Sequence, residues 1–170
     1  MTSFFPTAIQ DRAARLIRAA AGASLSIATA ETVTGGLLAA TLTEVPGASK
    51  VFERGFVLYR HDAKSAGLGM DPAVAAEYGV VSQPVTEALA LGLENNTDAD
   101  VGVVVTGYAG PTGGNERDPV GTIDLAGFDR DGREVCRRDV FTGDRLTVKL
   151  SAVAAALALL EQLVSGLVHV

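Results

Sequence analysis

Residues 99–110 read ADVGVVVTGYAG, a near-continuous apolar run that ends in glycines. A run of this kind is what a strand looks like when both faces of its sheet are covered. It therefore demands a sheet interior with helices above and below, and the rest of the chain supplies them.

Ala8 to Ala21 places apolar residues at helical spacing with arginines on the other face, and Gly22 is expected to end that helix. Ser24 to Ala30 alternates as a strand does. Gly35 and Gly36 then open a short helix, LLAATLTEV, that Pro46 and Gly47 close. RGFVLY reads as a second strand, and HDAKSAGLG as a turn into a short helix. Asp71-Pro72 is a favourable cap and first-turn pair for the next helix. Ser82 caps a longer one, SQPVTEALALGLENN. Late in the chain, PVGTIDLAGFD and REVCRRDVF read as strands joined by DRDGR in a hairpin. Asp144 is placed to cap a final apolar helix. Alternating helices and strands followed by a hairpin predict an α/β fold, a three-layer α/β/α sandwich around a mixed sheet. No repeat, linker or low-complexity tract divides the chain, so one domain over residues 1–170 is expected.

Composition narrows the functional classes. The chain has 48% hydrophobic and 20% charged residues, which places it among globular rather than disordered sequences. A formal net charge of −6 argues against nucleic acid as a partner, since phosphate backbones need a basic face. A local basic pocket for one small phosphate is compatible with it. The start of the chain lacks the basic flank and apolar core of a secretory signal. The apolar tail is interrupted by Glu161, Gln162 and Gly166, so it reads as a buried helix rather than a membrane span, and a cytoplasmic location follows. A single cysteine, Cys136, excludes an internal disulfide and is expected to be a buried, inert thiol. Two histidines and one cysteine make a His/Cys metal cluster improbable.

Three strand exits share a glycine-rich character: TVTGG at residues 32–36, TGYAGPTGG at 106–114 and FTGDR at 141–145. In α/β sheets ligands gather where strand ends meet loops. Neither a dinucleotide fingerprint nor a P-loop is present. On glycine content alone, a ligand site and ordinary tight turns are equal readings. Thr34 has the residue type of a helix cap, which leaves Thr32, two residues earlier, without a structural explanation. A hydroxyl that attacks needs a group to take its proton. His169 sits beside the C-terminus and His61 reads as a polar turn residue, so both are poor bases. A lysine can serve if burial populates its neutral amine, but spacing alone does not promote Lys64 over a solvated lysine.

The motifs AETVTGGLLAATLTEVPGAS, YRHDAK, GVVS, VVVTGYAGPTGG, PVGT and GDR, in this order and spacing, resemble the C-terminal domain of the competence/damage-inducible CinA family. Stand-alone members of that family are nicotinamide mononucleotide (NMN) amidohydrolases. The resemblance runs from about Ala28 to the final helix and includes nothing of the N-terminal domain that longer members carry. It implies hydrolysis of the NMN carboxamide to nicotinic acid mononucleotide and ammonia. It implies no metal or organic cofactor, a small-molecule nucleotide substrate, no membrane and a homo-oligomer. By motif, Thr32 takes the nucleophile position and Lys64 that of the base, with Tyr59 and Thr106 as an orienting relay. Thr34, Gly35, Gly36, Gly107 and Gly110 would contact the substrate, the amides of Gly35 and Gly36 facing an oxyanion or phosphate. Ser49 and Arg145 are the phosphate candidates.

Two departures bear on activity. The usual family motif ESCTGG is ETVTGG here, with threonine for the serine and Val33 for the cysteine, and YSN-x-AK has become YRHDAK, with His61 at the asparagine position. The extra methyl of Thr32 restricts χ1 and crowds the path of attack. The sequence leaves open an NMN amidohydrolase, a silent nucleotide-binding or regulatory module, and an amidase for another amide.

Overall fold

The computed structural model describes residues 4–168; His169 lies outside them. Five strands form one mixed sheet in the order β2-β1-β3-β4-β5. These are β1 (Ile27–Glu31), β2 (Phe52–Val57), β3 (Val101–Gly107), β4 (Thr122–Asp129) and β5 (Glu134–Val140). β1 pairs in parallel with β2 and β3, and β4 is antiparallel to both of its neighbours, β3 and β5; the β1–β3 register runs from Ile27↔Val101 to Glu31↔Val105.

The predicted three layers are present, and strand alternation builds them. Ile27, Val101, Val103, Val105, Ile123 and Leu125 point to one face. There they meet α1 (Thr7–Gly22), α2 (Leu37–Thr43) and α6 (Arg145–Val168). Ala28, Ala30, Val104, Ala126 and Phe128 point to the other. That face is covered by α3 (His61–Leu68), α4 (Pro72–Tyr78) and α5 (Gln83–Asn95). Gly102 lies on this second face because a Cβ there would sit 2.3 Å from the Phe128 ring.

The caps fall where the sequence puts them for three helices. Asp71 accepts from the Ala73 amide at 2.9 Å, Ser82 from Val85 at 3.4 Å, and Asp144 from Thr147 at 2.8 Å. Other expectations are corrected. Gly22 is still helical, and Ser24 takes the left-handed conformation (φ 55°) that redirects the chain into β1. Thr34 caps nothing: the N-cap of α2 is Gly36, and the Thr34 hydroxyl has no partner. Cys136 is exposed, because β5 is an edge strand with most of its residues open to solvent. Partial shielding, together with the Glu87 carboxylate 3.3 Å from Sγ, pushes the thiol up to about 11. With 24 residues, α6 is long and apolar enough to span a membrane, which the sequence reading did not allow for. It lies in the core, with Val148, Ala152, Leu157, Leu160 and Leu163 buried against β3, β4 and α1.

Candidate active site

The three glycine-rich exits converge at one end of the sheet, and each contributes to the wall of one cavity. Its volume is about 300 Å³, and Thr32, Tyr59, His61, Lys64, Tyr108 and Arg145 are among its lining residues.

The first exit is shaped by a residue that the sequence reading passed over. Glu31 ends β1 wholly buried, and its carboxylate accepts from the amides of Gly36, Leu38 and Ala39 at 3.0, 3.0 and 2.8 Å. One side chain thereby satisfies donors that open α2. It also pulls residues 32–35 into a tight turn, which Gly35 (φ 63°) and Gly36 (φ 97°) make possible. Gly36 therefore has no amide to offer a substrate, contrary to expectation. The amides of Val33, Thr34 and Gly35 have no protein acceptor among the described residues. Thr32 is 7% exposed and opens onto the cavity. Its hydroxyl donates to the Val105 carbonyl at 3.2 Å, and its amide donates to the same oxygen at 3.0 Å.

Lys64 reaches the cavity from α3. It is 5% exposed, and its Nζ donates to the Val80 carbonyl at 2.6 Å with no carboxylate in ion-pair range among the described residues. Burial without a counter-charge lowers its pKa from 10.5, which populates the neutral amine. Thr32 and Lys64 thus share one cavity, each hydrogen-bonded to a backbone carbonyl rather than to the other.

Arg145 braces the opposite wall. Its Nη1 donates to the Gly110 carbonyl at 2.6 Å and its Nη2 to the Tyr59 hydroxyl at 2.7 Å. Tyr59 is therefore tied to the arginine and not to Thr32 or Lys64. Gly107 and Gly110 line the cavity. Thr106 does not: it is fully buried, and its hydroxyl shares a 2.7 Å bond with Thr86, which fastens β3 to α5. Ser49 is also elsewhere, in a separate depression formed by residues 43–49 and Phe52. Thr34 and Gly35 lie in the turn beside the cavity rather than on its wall.

The wall residues that sequence reasoning missed are chiefly Tyr108, Val80 and Val81. All lie inside quoted motifs, but nothing in their types marks them. Burial, with a contribution from Asp118, raises the Tyr108 phenol, so it stays a donor. The Tyr108 backbone is held on both of its polar groups: Gly121 donates to the Tyr108 carbonyl at 2.7 Å, and the Tyr108 amide donates to the Thr122 carbonyl at 2.9 Å. Arg138 then pins Asp118 at 2.7 Å while pairing with buried Asp124 through two bonds of 2.6 and 2.8 Å.

The sequence and the fold have counterparts among known proteins. The family model for the CinA C-terminal domain matches residues 9–164. The chain belongs to the CinA C-terminal domain family. Nicotinamide-nucleotide amidohydrolase PncC of Escherichia coli is 42% identical over 137 residues, 81% of this chain and 83% of that protein. A CinA-like protein of Mycobacterium marinum is 41% identical over 92% of this chain, which spans 36% of that longer protein. Among solved structures, the competence/damage-inducible protein CihA of Agrobacterium tumefaciens superposes with a TM-score of 0.93 at 37% identity, covering 95% of this chain and 99% of that one. The CinA superfamily protein ECK1530/EC0983 of Escherichia coli gives 0.87 at 33%, covering 96% and 95%. The matched residues, 9–164, include all three strand exits.

Proposed function

We propose that this CinA-family protein is an NMN amidohydrolase that converts the nicotinamide carboxamide to the carboxylate and releases ammonia. The observation that carries the reading is the pairing, in one cavity, of a hydroxyl with a buried lysine that lacks a counter-ion. Its likeness to an amidohydrolase of nicotinamide nucleotide supplies the substrate.

The residues divide the work as follows. Thr32 Oγ1 attacks the amide carbon while its proton passes to the neutral Lys64 amine. The amides of Val33 and Thr34, free of protein acceptors, receive the developing oxyanion. Collapse breaks the C–N bond, and the Lys64 ammonium returns its proton to the departing nitrogen, which leaves as ammonia. Water then attacks the ester, Lys64 takes its proton, and Thr32 regains the hydrogen as the acid is released. Tyr108 and Tyr59 flank the space in which a cationic pyridinium ring would lie. The same reading gives a cytoplasmic enzyme and a homo-oligomer. It is in keeping with the second that Val57, Tyr59, Val80 and Leu146, large apolar side chains on or close to the cavity rim, are exposed.

Two tests follow. Because the neutral amine is the reactive form and burial lowers its pKa, kcat/KM should rise with pH through an apparent pKa below 10.5. A limb at 10.5 itself, or a flat profile from neutral to strongly alkaline pH, contradicts the role of Lys64. Thr32→Ser removes the methyl that fixes χ1 while the hydroxyl points at Val105. Turnover should rise about 10-fold, since a displacement near 1 Å is worth about 10²-fold in rate. A serine variant slower than the parent would mean that the threonine rotamer is already productive.

A further inference from the structure

Lys149 stands apart from every other basic side chain of the protein. Among the described residues it is the one lysine or arginine that is neither exposed nor hydrogen-bonded or ion-paired to the protein. A half-buried ammonium without a partner is unfavourable unless something else supplies negative charge. Its position says where that charge would sit. A Cβ built on Gly35 would lie 3.6 Å from Lys149 Nζ, so the amine hangs over the turn that follows Thr32. One helical turn earlier on α6 is Arg145, whose two terminal nitrogens are committed to Gly110 and Tyr59.

The turn beneath the amine is equally unsatisfied. The Gly35 amide has no protein acceptor, and the Thr34 hydroxyl is closed off from solvent without a hydrogen bond. The amides of α2 are not involved, because Glu31 already takes those of Gly36, Leu38 and Ala39. A free cation therefore hangs over a turn that carries a free amide at Gly35, three residues along the chain from Thr32. A compact ammonium is suited to a phosphate as a point charge.

We infer that Lys149, with the Gly35 amide, binds the phosphomonoester of the substrate and sets the preference for a mononucleotide over its nucleoside. The inference replaces Ser49 and the fork of Arg145 as the phosphate contacts. It rests on the proposed function for the identity of the substrate, but not for the presence of an anion site.

The test uses Lys149→Met, which keeps the stem and removes the charge. With NMN, KM should rise about 10-fold or more while kcat changes little, given the usual strength of a charge-assisted bond. Activity toward nicotinamide riboside, which lacks the phosphate, should be unchanged, and Lys149→Arg should restore much of the NMN affinity. A Lys149→Met protein with the parent KM for NMN overturns the inference. A second readout does not need turnover. Nicotinic acid mononucleotide should raise the Tm of the parent and of Lys149→Arg, but much less that of Lys149→Met. If the parent hydrolyses no NMN yet shows this lysine-dependent stabilisation, the catalytic reading fails and the anion site stands. Equal stabilisation of parent and Lys149→Met, or none in either, overturns the site.

Discussion

Lys64→Met is expected to abolish ammonia release while leaving the protein at least as stable as the parent. The two effects have one cause. Lys64 is buried with a single carbonyl partner, so the fold carries the cost of an ammonium in a poor solvent, and methionine fills the same volume without it. Loss of the hydrogen bond to Val80 costs about 1 kcal/mol, and relief of the buried charge more than offsets it. A net gain of about 1 kcal/mol would raise the Tm by roughly 2–4 °C in a chain of this size. Loss of the proton acceptor should lower turnover by about 10³-fold. The parent should also gain stability as pH rises from the lowered pKa of Lys64 towards 10.5. In that window the unfolded chain holds a proton that the native one does not. Lys64→Met should lose that slope. Scanning calorimetry at several pH values, alongside an ammonia assay, reads both. A less stable variant that keeps its activity would show Lys64 to be a structural residue.

Arg138→Met should have the largest effect on stability. Asp124 is fully buried and takes two bonds from Arg138, which at the same time holds Asp118 in the segment behind Tyr108. Removing the arginine strands a carboxylate in the core, a loss that runs to about 3–5 kcal/mol when one member of a buried pair is deleted. The Arg138 side chain is 35% exposed, so solvent softens the penalty towards about 3 kcal/mol. Adding Asp124→Leu should recover most of it, because the stranded charge is then gone. Denaturant midpoints of the two variants measure this directly. A loss below about 1 kcal/mol in Arg138→Met would mean that Asp118 and Asp124 find other donors.

The order of the elements was legible because each rests on local chemistry. The near-continuous apolar run of β3, the Asp71-Pro72 and Ser82 caps and the DRDGR hairpin are all set by neighbours in the chain. What escaped the sequence depends on distant partners. Glu31 looks like any acidic residue after a strand until α2 folds back over it and offers three amides. Cys136 was expected inside because it lies in a strand-like run, but edge placement is a property of strand order, which pairing decides. Thr106 carries the motif of a site residue, but its side chain leaves β3 on the α5 side and bonds Thr86. Ser49 follows the motif order, whereas the turn at Pro46-Gly47 carries it to a different depression. Thr32, Tyr59, Lys64, Gly107, Gly110 and Arg145 stand in the motifs and meet at one cavity. No pattern of residue types revealed that Arg145 would be tied up with Tyr59, or that Lys149 would be left free.

The central claim is that the oxygen of Thr32 forms and breaks a bond to the carboxamide carbon. Ammonia release from NMN by the parent and by Thr32→Ala, measured on folded protein of each, tests it most directly. Steady release by the parent and at least a 10³-fold loss in the alanine variant is the expected result. Release by Thr32→Ala at the parent rate would contradict it, since water would then be attacking without help from this side chain.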